Sequence, residues 1–94
     1  MRVTVLLPGV LHADADGRSR LDVEVAEGAT LTAVLDTVAG LYPALDRRLR
    51  DEQRGLRRYV NFYVGGEECR RLDGAATRLA DGAEVHVIPS VAGG

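Results

Sequence analysis

The chain contains few side chains that could carry chemistry on their own. Cys69 is its only thiol, and no histidine stands near it in the sequence. A thiol becomes a good nucleophile when a neighbouring cation or base lowers its pKa, whereas an isolated cysteine more often packs as a small apolar residue. We therefore interpret Cys69 as a buried structural residue and not as a relay nucleophile.

The two histidines are the remaining candidates for acid–base or metal chemistry. His12 stands with Asp14 and Asp16 in a polar, turn-rich stretch at residues 12–19, but their spacing matches no specific metal site. We interpret this stretch as a solvated loop and expect no metal to bind there. His86 alternates with apolar residues, so we expect it to point outward from a strand, either into solvent or towards a partner.

A cluster of positive charge lies at residues 46–58. This range contains six arginines and three acidic residues, a local charge of +3, whereas the whole chain carries −2. A solvated helix face and loop would explain such a run without any partner. The alternative is a docking site for an acidic partner or an anionic substrate. Arg57 and Arg58, just before a predicted strand, are the best candidates for that role.

Composition limits the range of functions. The chain has 94 residues, 46% hydrophobic and 28% charged, which suits one small globular domain. A large cofactor pocket would consume most of its core, so we expect a protein that binds no cofactor and is not an enzyme. The charge balance argues against a nucleic-acid partner. No segment is apolar enough to span a membrane and no signal peptide is evident, so we expect a soluble cytoplasmic protein.

The hydrophobic pattern changes period along the chain and predicts both strands and helices. Alternating or β-branched runs mark the predicted strands at residues 2–8, 20–26, 59–64, 68–72 and 84–88. An apolar stripe of period 3.6 predicts a helix that begins after an N-cap at Thr30 and ends near Gly40. Residues 43–52 predict a second helical piece, and residues 77–79 predict a single helical turn.

One amphipathic helix packed across a mixed sheet of four to five strands would bury every apolar stripe. If the first and last strands are central neighbours, they run parallel, and the helix supplies the long crossover that parallel pairing needs. The sequence therefore predicts an α+β fold, the β-grasp or ubiquitin-like roll. Residues 1–89 would form the domain, and residues 90–94 would form a flexible C-terminal tail that ends in Gly-Gly.

Three segments of the chain together form a recognisable family pattern. They are Val60-Asn61-Phe62-Tyr63-Val64, the run LADGAEVHVIP at residues 79–89, and the terminal Val91-Ala92-Gly93-Gly94. Together they resemble the MoaD/ThiS family of ubiquitin-like sulfur-carrier proteins, and its CysO-like branch in particular. The resemblance covers the whole length of the chain and implies a β-grasp fold.

The resemblance implies a reaction cycle at the terminal carboxylate of Gly94. An ATP-dependent activating enzyme would adenylate this carboxylate, and a sulfur donor would displace AMP and leave a thiocarboxylate. A sulfur-accepting synthase would then use the sulfur. The CysO-like likeness implies a PLP-dependent cysteine synthase, followed by a metal-dependent peptidase that releases the cysteine. The chain itself would bind no cofactor, and the partner enzyme would consume the ATP.

Within this resemblance, the residues before Gly94 would form a slender tail that enters a partner. Gly93 and Gly94 lack Cβ atoms and can take backbone angles that are closed to other residues, and Val91 and Ala92 complete the tail. Ordering such a tail costs entropy, so a surface of the folded domain should contribute affinity. The candidates for that docking surface are Arg57, Arg58, Tyr63 and His86.

The sequence also allows other functions. The sulfur could be destined for molybdopterin, thiazole or a secondary metabolite. A second hypothesis is a ubiquitin-like protein modifier, in which a target lysine attacks activated Gly94. The chain contains no lysine, so it could not build lysine-linked chains on itself, although single attachment stays open. A third is an interaction module whose tail is inert.

Overall fold

The computed structural model describes residues 1–90, so the predicted tail residues Val91, Ala92, Gly93 and Gly94 lie outside the described residues. The strands and α-helices are β1 (Arg2–Leu6), β2 (Arg20–Glu24), α1 (Leu31–Leu41), α2 (Pro43–Leu49), β3 (Val60–Val64), β4 (Glu67–Glu68) and β5 (Glu84–Pro89). Short 3₁₀ helices lie at Gly9–Ala15, Cys69–Arg71 and Gly74–Ala76.

The five strands form one mixed sheet in the order β2-β1-β5-β3-β4. The central pair, β1 and β5, is parallel, and every other pair is antiparallel. A parallel pair needs a long connection between its strands, and helices α1 and α2 lie within that connection. This topology is the β-grasp roll that the sequence predicts.

One face of the sheet and the apolar faces of both helices form the core. Alternate strand residues point inward, so valines pack beside the fully buried ring of Phe62. The core side chains that are completely buried in the sheet and the α-helices are Val3, Val5, Phe62, Val85, Leu31, Val34, Leu35, Val38, Leu45 and Leu49. Because the helices cover this face only, the other face presents its alternate residues outward.

Helix α1 begins as predicted and ends at Leu41, close to the predicted end. The Thr30 hydroxyl accepts a hydrogen bond from the Ala33 backbone N–H at 3.3 Å, which caps the first turn. Gly40 lies inside the helix, which continues to Leu41. Pro43 begins α2 because its fixed φ suits the first turn of a helix and its missing N–H is not needed there.

Three local predictions from the sequence are wrong. The solvated loop at residues 12–19 begins as a 3₁₀ helix, since Leu11 and Ala15 are buried and anchor it to the core. The strand predicted at residues 68–72 ends at Glu68, where a 3₁₀ turn begins. The helical turn predicted at residues 77–79 lies instead at Gly74–Ala76.

The described chain contains no membrane-crossing element among its helices. No helix within residues 1–90 is long and apolar enough to span a bilayer.

Replacing the central aromatic ring tests the core. We expect Phe62→Ala to lower the free energy of unfolding by about 3–5 kcal/mol, because a completely buried ring is lost and a cavity remains. Ile88→Ala on the neighbouring strand is the control, since Ile88 is 48% exposed and its loss should cost about 1 kcal/mol or less. Equilibrium unfolding in urea measures both. Equal losses would contradict the assigned faces of the sheet.

Candidate functional site

The last described residues of the chain are tied to strand β3. Pro89 pairs with Val60 in the sheet, and the Ser90 N–H donates a hydrogen bond to the Tyr59 carbonyl oxygen at 2.7 Å. The side-chain amide of Asn61 donates from Nδ2 to the Ser90 hydroxyl oxygen at 3.0 Å. Ser90, where the sequence places the start of the tail, is therefore held by both its backbone and its side chain. We call this point the tail root.

The guanidinium of Arg70 braces the segment of β3 beside the tail root. Its Nη2 donates to the Arg57 carbonyl oxygen at 2.9 Å, and its Nη1 donates to the Val60 carbonyl oxygen at 3.2 Å. Nη1 also lies 3.2 Å from Glu68 Oε2 and 3.5 Å from Asn61 Oδ1. These contacts favour the orientation of the Asn61 amide in which Nδ2 faces Ser90. Sequence analysis missed Arg70, because its partners are distant backbone carbonyls.

The structure brings Tyr63 and His86 together on the outer face of the sheet. They are directly opposite each other in the β3–β5 pair, and Leu6 lies opposite His86 on β1. The His86 side chain is 48% exposed, and its Nε2 lies 3.6 Å from Glu84 Oε1. The prediction that His86 points outward is confirmed.

Arg57 and Arg58 lie away from that pair, at the opposite end of β3. They precede its first residue, Val60, whereas Tyr63 is near its last. The four residues predicted as one docking surface therefore divide into two regions. Arg58 is exposed, and Arg57 is half-buried beside the tail root.

Beside the tail root lies a cleft of about 380 Å³. Its lining includes three arginines from two segments of the predicted basic stretch, together with apolar side chains and the last two described residues of the chain. The lining includes Val10, Arg47, Arg48, Arg57, Tyr59 and Ser90. We call this feature the arginine cleft.

The basic stretch at residues 46–58 is only partly the solvated surface that charge patterning suggests. The Arg50 side chain is 2% exposed, and its Nε and Nη1 pair with Asp46 Oδ1 at 2.7 Å and Asp36 Oδ1 at 2.8 Å. Arg54 also lies 3.7 Å from Asp36. A buried guanidinium needs such partners, since an isolated buried charge is very costly. Arg50 therefore links α2 to α1 and is not available to a ligand.

Cys69 behaves as the sequence predicts. It is completely buried, and its thiol donates a weak hydrogen bond to Glu68 Oε2 at 3.4 Å. Burial and the neighbouring carboxylate raise the pKa of the Cys69 thiol to about 11. Because the thiolate is the nucleophile, a thiol in this environment is unreactive near neutral pH.

His12 and the nearby acidic residues have structural partners. His12 Nε2 lies 3.0 Å from the Leu7 carbonyl oxygen, and Asp14 pairs with Arg48 at 3.6 Å. Within residues 1–90, no three His, Cys, Asp or Glu side chains are close enough together to hold a metal ion. His12 and Asp14 therefore tie the first 3₁₀ helix to the rest of the domain.

The mixed sheet with a parallel central pair, one main helix and a C-terminal strand in the sheet define a β-grasp protein of the ubiquitin-like class. The model of the ThiS family matches residues 5–94, so the chain belongs to the ThiS family. The match includes the four residues that the structure leaves undescribed. The family membership predicted from the sequence is confirmed.

Curated relatives agree over most or all of the chain. The sulfur carrier protein CysO of Mycobacterium tuberculosis is 38% identical over 96 residues, with 100% of both chains covered. The molybdopterin synthase sulfur carrier subunit of the same organism is 33% identical and covers 100% of this chain and 99% of the relative. Small archaeal modifier protein 3 of Haloferax volcanii is 37% identical over 78 residues, with 83% and 84% covered.

Solved structures share the fold. The crystal structure of the Amycolatopsis orientalis BexX/CysO complex contains a chain that matches with a TM-score of 0.83 at 33% identity, covering 98% of this chain and 99% of that one. The crystal structure of SAMP1 from Haloferax volcanii matches with a TM-score of 0.85 at 28% identity, with both chains covered completely.

The environment of Cys69 can be tested by alkylation. At pH 8 we expect native protein to resist iodoacetamide, because a thiol with a pKa of about 11 is ionised to about one part in a thousand and is also inaccessible. Protein unfolded in guanidinium chloride should react at the rate of a free cysteine. Mass spectrometry of timed samples measures both rates. Equal rates in the native and unfolded protein would contradict the buried position.

The tail root can be tested by hydrogen exchange. We expect Asn61→Ala to raise the exchange rate of the Ser90 amide about two- to tenfold, because one hydrogen bond that holds Ser90 is lost. Gln53→Ala is the matched control, since the Gln53 side chain is exposed and only its backbone N–H is bonded. NMR exchange measures the rates. An unchanged rate at Ser90 in Asn61→Ala would show that the amide does not anchor it.

Proposed function

We propose that the chain is a sulfur carrier whose transferable group is a thiocarboxylate at Gly94. The observation that carries this proposal is the family match, which runs from residue 5 through residue 94 and so includes the Gly-Gly terminus. The full-length similarity to a protein named as a sulfur carrier supports it. The fold supplies a fixed point, at Ser90, from which the last four residues depart.

The chemistry begins at a carboxylate, which is a poor electrophile. Transfer of AMP from ATP to the Gly94 carboxylate would form an acyl-adenylate and release pyrophosphate. Sulfide sulfur would then attack the carbonyl carbon, and AMP would leave with the electron pair of the broken C–O bond. The product is a thiocarboxylate, which is a ready sulfur nucleophile. The chain would supply the carboxyl carbon of Gly94 and place it in the partner, whereas the partner would supply the nucleotide-binding site.

The geometry of the tail root suits this division of work. Four residues follow Ser90, and in an extended conformation they span about 13–14 Å. Such a segment can place Gly94 inside a partner while the folded domain stays outside. Gly93 and Gly94 present no side chain to a narrow channel. The paired Tyr63 and His86 offer one surface on which the domain can dock, and the region of Arg57 and Arg58 offers another.

The partners follow from this cycle. We propose an ATP-dependent activating enzyme and a sulfur-accepting synthase, and the similarity to CysO favours cysteine biosynthesis with a PLP-dependent synthase and a metal-dependent peptidase. The chain itself would act as a co-substrate without a bound cofactor, and not as an enzyme. We place it in the cytoplasm, where these enzymes and ATP would meet it, with no role for nucleic acid or membrane.

A second candidate function is protein modification. The similarity to small archaeal modifier protein 3, at 37% identity, favours it, because a target amine could attack the same activated Gly94. Immunoblots of cell lysate against a tagged chain distinguish the two functions. A ladder that survives thiol reductant supports conjugation, whereas a single free band supports the carrier alone.

The terminal glycine can be tested with one added methyl group. We expect Gly94→Ala to slow thiocarboxylate formation about tenfold or more, because overpacking a narrow channel costs about 1–3 kcal/mol. The melting temperature should not change. Gly40→Ala is the matched control: Gly40 lies in α1, and a methyl group there meets nothing within 4 Å. Full sulfur loading by Gly94→Ala would contradict the narrow channel.

Intact mass spectrometry provides the readout. The protein is incubated with a purified activating enzyme, ATP and sulfide, and its mass is compared before and after. A mass increase that equals exchange of one oxygen for sulfur, mapped to Gly94, supports the carrier function. An unchanged mass with an enzyme that loads a known carrier would overturn it.

A further inference from the structure

The arginine cleft contains positive charge that the rest of the described chain does not neutralise. Arg48 pairs with Asp14. Within residues 1–90, neither Arg47 nor Arg57 has a carboxylate oxygen at ion-pairing distance. Asp51 and Glu52 border a second cleft with Arg57, but neither carboxylate approaches that close. Two guanidinium groups are thus left for an external anion.

Arg57 is held in place before any ligand arrives. Its backbone N–H donates to the Leu49 carbonyl oxygen at 3.0 Å, and its own carbonyl oxygen accepts from Arg70 Nη2 at 2.9 Å. Its side-chain Nε donates to the Arg47 carbonyl oxygen at 2.8 Å. Within residues 1–90, its Nη1 and Nη2 groups donate no hydrogen bond. These two groups form the fork that binds a carboxylate with paired hydrogen bonds.

Apolar surface accompanies this charge. Val10 is 68% exposed and Tyr59 is 54% exposed, and both line the same cleft. A small inorganic anion would use the guanidinium groups but would leave these side chains in water. A peptide that carries an apolar residue between carboxylates would cover both, as the centre and rim of a protein interface do.

We propose that the arginine cleft binds an acidic segment of the partner protein that receives the C-terminal tail, with carboxylates on Arg47 and Arg57 and an apolar side chain against Val10 and Tyr59. The position of the cleft supports this occupant. The cleft includes Ser90, the residue that precedes the tail, so a partner that receives the tail would lie next to the cleft. The identity of the partner rests on the proposed function, whereas the preference for an acidic peptide rests on the cleft alone.

The test is an NMR titration of isotope-labelled full-length protein. The probe is a blocked pentapeptide with a central leucine and two glutamates on each side. The matched probe carries glutamine in place of every glutamate. We expect saturable shifts at the Arg57 Nε–H and the Tyr59 and Ser90 amides with the glutamate peptide only. Added salt should weaken this binding, because it depends on charge.

Two variants test the residues. Arg47→Gln is the cleaner one, since within residues 1–90 the Arg47 side chain forms no hydrogen bond or ion pair, and we expect it to weaken peptide binding about tenfold. Arg57→Gln should do the same. Arg78→Gln is the control: Arg78 is exposed, forms no ion pair within residues 1–90 and lies outside the cleft, so its replacement should change nothing.

Several results would overturn the proposal. These are the absence of saturation, equal binding of the glutamine peptide, and shifts spread over arginines outside the cleft. Displacement of the peptide by inorganic phosphate at equal concentration would assign a small-anion site instead. Binding that appears only in a chain truncated after Ser90 would assign the cleft to the protein's own tail.

The two proposals fail separately. Thiocarboxylate formation without peptide binding would contradict the docking site and support the carrier function. Peptide binding without thiocarboxylate formation would support the docking site and contradict the carrier function.

Discussion

The parallel pairing of β1 and β5 is the constraint on which the rest of this structure depends. It aligns Val5 with Val85 at the centre of the sheet, and it places the final strand between two neighbours. Parallel neighbours cannot be joined by a tight turn, so the chain between them must cross over the sheet. That crossover contains α1 and α2. These helices cover one face of the sheet, and the other face remains uncovered by them.

A second consequence of that pairing is a firm end to the domain. Strand β5 pairs with β1 as far as His86 and with β3 as far as Pro89, so the chain stays in the sheet until it reaches Ser90. Arg70 reinforces this region through the carbonyl groups of Arg57 and Val60. The site proposed for sulfur transfer thus combines a slender terminus with an anchored root, and neither would present Gly94 well without the other.

Most of the fold could be predicted from the sequence, because local patterns determine it. Alternating and β-branched runs predicted β1, β2, β3 and β5, and Thr30 predicted the start of α1, where its hydroxyl accepts the expected hydrogen bond. The 3₁₀ helix at Gly9–Ala15 was missed, since the charged and turn-forming residues of the stretch at 12–19 indicate a solvated loop, although Leu11 and Ala15 are buried.

The site could be predicted only in part, because its contacts join residues far apart in the chain. Charge patterning marked residues 46–58 but could not separate buried Arg50, whose partner Asp36 lies on α1, from Arg57, which forms no ion pair within residues 1–90. The segment resemblance identified the family and the terminal glycines. It did not reveal that Asn61 would hold Ser90, a contact between residues 29 positions apart.

The placement of β5 also has a mechanical meaning. A partner that grips the terminus and pulls along the strand loads the hydrogen bonds to β1 and β3 in shear, so that they resist together and do not open one after another. An edge strand in a hairpin would instead peel away bond by bond. A carrier that passes between the proposed partner enzymes would therefore keep its shape under tension, because the force would enter through the middle of the sheet.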